Sequence, residues 1–204
     1  MTTNIKRRTV LQLMAAAPMA ATMSWTEAEA QQAHEHAQAA RTTAAKANAP
    51  YKPKFFNAHE WATVRMLVDI IIPRDERSGS ATDAGVPEFM DFIINEQPAR
   101  QNAMRGGLAW LDLECQDRFD KMFVDCTDEQ RSQVLDDIAW PQKATPAMSH
   151  GVAFFNSFRD LTATGFWTTK MGMQDLQYTG NTFVAEWKGC PDAALEKLGV
   201  RRQA

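Results

Sequence analysis

Apolar residues recur at helical spacing from Trp61 onward: Trp61, Val64, Val68 and Ile71 fall three or four positions apart. Asn57, with Glu60 three residues later, forms a capping box in front of them, and Pro73 ends the run. Arg74 to Ala84 is polar, holds Gly79 and two serines, and reads as a loop. Pro87 suits the first turn of a second helix with Phe89, Phe92 and Ile93 on one face, ended by Pro98. A longer helix is expected from about Ala99 to Met122, lined by Met104, Leu108, Leu111, Cys115 and Phe119. Gly106-Gly107 interrupts it, which marks either close packing or a kink. Thr127 with Gln130 opens the next helix, whose stripe of Val134, Leu135 and Ile138 runs to Pro141. A fifth spans Ser149 to about Ala163 with Val152, Phe155, Phe158 and Leu161 inward, and Gly165 is placed as its C-terminal cap.

The pattern loses its period after Gly165. Phe166 to Pro191 carries glycines at 172, 180 and 189 among the aromatics Phe166, Trp167, Tyr178, Phe183 and Trp187. An irregular stretch of that length in a compact domain is usually functional or part of an interface. Those five aromatics are therefore expected to form a partner-docking surface; the competing expectation is that the segment closes its own core. Asp192 to Leu198 reads as a last short helix. No alternating strand run occurs, so the expected fold is all-α, with about five to six helices and an irregular, aromatic-rich C-terminal segment.

The chain ahead of this domain reads differently. Gln31 to Lys54 is a low-complexity mixture of Ala, Gln, Thr and Lys with almost nothing large and apolar before Tyr51. A flexible linker is expected over 31–54, leaving 55–204 as the helical domain. Lys6, Arg7 and Arg8 precede Thr9, Val10, Leu11, Gln12 and Leu13, the arginine pair and apolar run of a twin-arginine export signal. Val10 to Met23 is too short and too weakly apolar for a stable membrane span. Ala28-Glu29-Ala30 fits small-x-small cleavage, so residues 1–30 are read as the signal and Gln31 as the new terminus. This export route carries folded proteins, which puts the mature chain in the periplasm and gives it the twin-arginine translocase as a transient partner.

Composition narrows the chemistry. The 204 residues are 45% hydrophobic with a formal net charge of -3, which argues against a nucleic-acid footprint. Eleven Met, eleven Phe and six Trp fit an adaptable core better than a cofactor box. There is no G-x-G-x-x-G and no C-x-x-C-H, and three separated cysteines do not make a four-cysteine cluster site. His34 and His36 have nothing beside them to complete a metal site. His59 and His150 open helices, where Glu60 or Asp160 can be imagined as acid–base partners, but capping or solvated roles fit better; Asp69, Asp136 and Asp137 read as solvated faces. No catalytic, cofactor-binding or metal residue is therefore assigned. Cys115, Cys126 and Cys190 are candidates for a disulfide in an oxidising compartment, one thiol being left over, and Cys190 in its Gly-Cys-Pro corner is the candidate for a bridge to another chain.

Phe55-Phe56, Glu60, Ile70-Ile71-Ile72-Pro73-Arg74-Asp75 and Ala84-Gly85-Val86-Pro87-Glu88-Phe89-Met90-Asp91 resemble the opening block of the gluconate 2-dehydrogenase subunit 3 family. The closing block agrees, through Phe155, Phe158-Arg159-Asp160-Leu161, Gly165-Phe166-Trp167, Leu176-Gln177-Tyr178-Thr179-Gly180-Asn181 and Trp187-Lys188-Gly189-Cys190-Pro191. The resemblance implies a small, non-catalytic subunit exported by the twin-arginine route. Its implied partner is a large FAD-dependent dehydrogenase subunit of the glucose–methanol–choline type, which oxidises a sugar, sugar acid, glycoside or polyol. A cytochrome c subunit carrying haem c is the implied electron acceptor, and the complex is expected at the periplasmic face of the inner membrane. The small subunit would assist folding of the flavoprotein and carry it out. The Trp-Lys-Gly-Cys-Pro ending belongs to only part of the family, so gluconate itself is not carried over as substrate. Two other readings are a free-standing periplasmic scaffold or binding protein, which a neighbouring flavoprotein gene would argue against, and an enzyme in its own right, which the missing cofactor motifs argue against.

Overall fold

The computed structural model describes residues 26–178, 180, 185–186, 189–190 and 192–199. Arg7, Arg8, Phe183 and Trp187, and with them most of the expected export signal, lie outside the described residues. Among the described residues the fold is all-α, as the periodicity predicts, with no strand. The helices are α1 (Glu27–Lys46), α2 (Ala58–Ile71), α3 (Ala81–Ala84), α4 (Val86–Glu96), α5 (Pro98–Phe119), α6 (Asp128–Ala139), α7 (Ser149–Trp167), α8 (Lys170–Asp175) and α9 (Asp192–Lys197). Single 3-10 turns at Phe123–Asp125 and Pro146–Met148 lead into α6 and α7.

The capping boxes read from the sequence form as expected. Asn57 accepts from the Glu60 N–H at 2.9 Å while the Glu60 carboxylate accepts from the Asn57 N–H at 2.9 Å. Thr127 and Gln130 make the same reciprocal pair at the start of α6. A third box, Ser80 with Asp83, builds the four-residue α3 inside the stretch expected to be loop. Gly85 ends α3 at φ 86°, a left-handed conformation that suits glycine, and passes the chain directly into α4.

Helix α4 is the centre of the molecule. Val86, Phe89, Met90, Ile93 and Ile94 are buried along it, and α1, α2, α5 and α7 all pack around it. Asp91 is also fully buried there. Its Oδ1 accepts from the Phe55 and Phe56 N–H groups at 2.9 and 3.2 Å, and its Oδ2 from the Tyr51 hydroxyl and the Lys54 N–H, both at 2.8 Å. One carboxylate thus fastens the entry segment 51–56 to the core, offsetting its own desolvation with four donors.

The linker expected over 31–54 is corrected by α1. Thr26 and Glu29 form its capping box, and Ala30, Ala33 and Ala37 are buried against the body. Alanine has the best helix propensity, and its small side chain lets α1 lie close on α4. The larger surface comes from histidines: His34 stacks on Phe89 at 4.6 Å and His36 on Phe92 at 4.3 Å, so both serve in packing. Arg41 donates to the Asp83 carbonyl at 3.1 Å and faces Glu88 at 3.9 Å. The expected cleavage residues Ala28 and Ala30 both sit in the first turn of this helix, Ala28 exposed and Ala30 buried.

The Gly106-Gly107 pair marks close packing. A Cβ on Gly107 would come within 1.8 Å of the Phe154 ring, whereas one on Gly106 would meet nothing within 4 Å. Gly165 is not a cap: α7 runs on to Trp167, and a Cβ at Gly165 would lie 2.9 Å from the Phe89 ring. The glycine permits the α7–α4 approach.

Candidate partner-docking surface

The segment expected to dock a partner begins inside the fold. Phe166 is fully buried, its ring edge-on to Trp167 at 4.8 Å, and Trp167 is half-buried against the core. Both residues belong to the last turn of α7, and the docking assignment of Phe166 is corrected: extending α7 past Gly165 turns this ring inward. Thr169 then caps α8 by accepting from the Gly172 N–H at 3.0 Å.

Helix α8 is held in place by the loop that follows α2. Asp75 folds that loop by accepting from the Arg77 and Ser78 N–H groups, both at 2.8 Å. These backbone donors, with Arg77 close by, hold the Asp75 carboxyl below its usual range. Arg77 in turn bonds the Asp175 carbonyl and faces its carboxylate at 3.2 Å. Met171 lies against the core and reaches Gly79. The loop from Asp75 to Gly79 therefore builds the seat of α8.

Helix α8 and the turn after it leave three large apolar side chains exposed beside Lys170 and Gln174. Met173 is 43% exposed, Leu176 57% and Tyr178 59%. Three large side chains left in solvent within six residues form a patch that the fold itself does not cover. Tyr178 belongs to the docking surface that the run of aromatics predicts; Met173 and Leu176 extend it with aliphatic side chains. The signal was present in the alternation of Met171 and Met173 about a glycine in a short helix.

The other candidate residues serve structure. His59 Nε2 donates to the Asp112 carboxylate at 2.6 Å rather than pairing with Glu60, which is occupied by its cap, or with Asp160. The second oxygen of Asp112 accepts from the Phe123 N–H at 3.0 Å, so the pair ties α2, α5 and the 3-10 turn together. His150 stands at the second position of α7. Asp69 accepts from the Thr82 N–H at 2.7 Å, and Asp137 pairs with Arg118 at 2.7 Å; Asp136 is exposed. Cys115 and Cys126 are buried, and Cys190 is exposed. Among the described residues no group of three or more His, Cys, Asp or Glu is arranged to hold a metal ion, and no helix is long and apolar enough to cross a membrane. A groove open to solvent runs along α2 between Ala62, Arg65, Met66, Asp69, Ile70 and Thr82.

Residues 58–186 match the family model of gluconate 2-dehydrogenase subunit 3. No curated protein and no solved structure matches the chain.

Proposed function

The chain belongs to the gluconate 2-dehydrogenase subunit 3 family, and from that premise we propose that it is the non-catalytic small subunit of an FAD-dependent dehydrogenase complex, binding the large flavoprotein subunit through the surface of α8. The observation that carries this reading is the exposure of Met173 on α8 and of Leu176 and Tyr178 in the turn that follows it, inside the family-matched region. Large side chains on a rigid support are what a protein interface requires, because little entropy is lost when they are covered.

In this reading FAD is bound by the large subunit, of glucose–methanol–choline type, and supplies the oxidation of a sugar, sugar-acid or glycoside hydroxyl. A cytochrome c with haem c accepts the electrons. The small subunit assists folding of the flavoprotein and takes it through the twin-arginine translocase on the signal that begins at Arg7 and Arg8, placing the complex in the periplasm at the inner membrane.

The test is isolation of a tagged chain from its native host, beside a variant with Arg7 and Arg8 both replaced by Lys. The wild-type chain is expected in the periplasmic fraction with an equimolar FAD-bearing subunit, and the variant is expected to hold both proteins in the cytoplasm. A wild-type chain isolated without a flavoprotein, or normal export of the flavoprotein beside the Lys variant, would overturn the proposal.

A further inference from the structure

The first turn of α1 contains the residues at which an export signal would be cut. A signal peptidase takes its substrate as an extended strand and reads the small residues one and three positions before the cut. Extended chain puts Ala28 and Ala30 on one side, because side chains alternate along a strand. A helix separates them, since residues two apart point about 160° apart around its axis. The fold shows that separation: Ala28 is exposed, whereas Ala30 is buried against the body. The backbone is also engaged. The Ala30 N–H donates to the Thr26 carbonyl at 3.1 Å, and the reciprocal Thr26–Glu29 box closes the helix end.

Straightening the chain around the Ala30–Gln31 bond reaches beyond this first turn. It lifts Ala30 from the body and pulls on Ala33, which is fully buried, and on His34, which stacks on Phe89 at 4.6 Å and bonds Thr168. Ala37 is buried one turn further on, and Arg41 donates to the Asp83 carbonyl at 3.1 Å. Fraying of an exposed end therefore does not supply the substrate strand; the seat of α1 on α4 has to open.

We propose that the seating of α1 withholds the Ala30–Gln31 bond from signal peptidase, so that the folded chain keeps residues 1–30 until α1 lifts from α4. This rests on the reading of residues 1–30 as an export signal and is independent of the docking role of α8. A twin-arginine substrate crosses the membrane folded, so α1 is already packed when the bond meets the peptidase. The cut itself is a hydrolysis. The bond from the Ala30 carbonyl carbon to the Gln31 nitrogen breaks, water gives its hydroxyl to Ala30 and its proton to Gln31, and nothing is oxidised. Cleavage also removes Thr26, Glu29 and Ala30 from the helix, so α1 loses its N-cap and one of its buried alanines. Removal of the signal and release of α1 are thus coupled.

The experiment incubates the full 204-residue chain with purified bacterial signal peptidase in detergent and follows intact mass. Ala37→Glu places a charge under α1 outside the peptidase's reading frame, and Arg41→Ala removes an exposed side chain that holds the far end of the helix. Cleavage of a closed segment follows the population of its open form. Ala37→Glu is expected to lose residues 1–30 at least about tenfold faster than wild type, and Arg41→Ala several-fold faster while melting as a folded body. Adding Ala30→Leu to Ala37→Glu should stop the cut. Wild type cleaved after Ala30 as fast as both variants would overturn the proposal. Failure of all three chains to be cut after Ala30 would overturn it differently, by removing the cleavage site itself, and would leave the flavoprotein partnership standing.

Discussion

Individual residues decide whether neighbouring helices can touch, and the two adjacent glycines of α5 show this most directly. Gly106 faces open space and Gly107 faces the Phe154 ring of α7. Gly106→Ala should raise stability by about 0.5–1 kcal/mol, because alanine loses less backbone entropy in a helix. Gly107→Ala should lower it by about 1–3 kcal/mol, because the added methyl overlaps a ring locked in the core. Thermal melts of the two variants beside wild type should move in opposite directions, and a shift of the same sign for both would contradict the packing described. The sequence shows a glycine pair and the choice between a kink and close packing; which glycine touches depends on the phase of α5 against α7, which a single helix pattern does not contain. Asp91 illustrates the same limit. Two positions after Phe89, it falls on the side of α4 opposite Phe89, Phe92 and Ile93, where the pattern implies solvent, whereas its four donors come from residues 51–56 and are fixed only by the fold.

At the scale of elements, large apolar residues made α2, α4, α5, α6 and α7 legible, and the absence of such residues hid α1. Its buried face is alanine at positions 30, 33 and 37, a helical spacing that contributes little burial per residue and so looks like linker composition. The Thr26–Glu29 box is the one local signal of its start. The end of α7 differs from the sequence pattern for a related reason: Gly165 looks like a cap but serves a close approach to Phe89. The seat of α1 also titrates. Burial against Phe89 holds the His34 imidazole below its ordinary range. A histidine whose pKa is depressed on folding favours the folded state fully above its ordinary pKa, and this contribution fades as pH falls through the folded value. Glu88, facing Arg41 and near Arg65 and Asp91, is shifted up by burial; its protonation in acid weakens the Arg41 contact while relieving a buried charge. Glu29 at the helix start lies near Arg100. Lowering the pH from 7.5 to 5 should therefore loosen α1 before the body unfolds. Amide exchange confined to 27–46 should rise beyond its intrinsic pH dependence, and His34→Phe, which keeps the stack without the charge, should suppress the rise. Equal acid sensitivity in that variant would mean another group controls the docking of α1.

Among the described residues, the aromatics at the end of α7 are used in packing, while Met173, Leu176 and Tyr178 just beyond them stay exposed. The sequence showed the crowding of aromatics after Gly165 but not its division between inside and outside, because the boundary falls where α7 ends and α8 is turned by the Asp75 loop. That division makes the proposed docking surface testable side chain by side chain. Phe166→Ala opens a cavity in the core and should cost the isolated subunit about 3–5 kcal/mol. Leu176→Ala and Tyr178→Ala change exposed residues and should leave its Tm within the shift expected of about 0.5 kcal/mol. In the complex the order reverses: either exposed substitution should weaken association with the flavoprotein by about 1–2 kcal/mol, and the pair together should reduce the flavoprotein recovered with the tagged chain several-fold. Melting curves of the isolated subunit and a titration against the flavoprotein subunit measure the two sides separately. If Leu176→Ala and Tyr178→Ala bind as tightly as wild type, the flavoprotein does not sit on α8. If they melt as low as Phe166→Ala, the patch belongs to the core and the distinction between inside and outside fails with it.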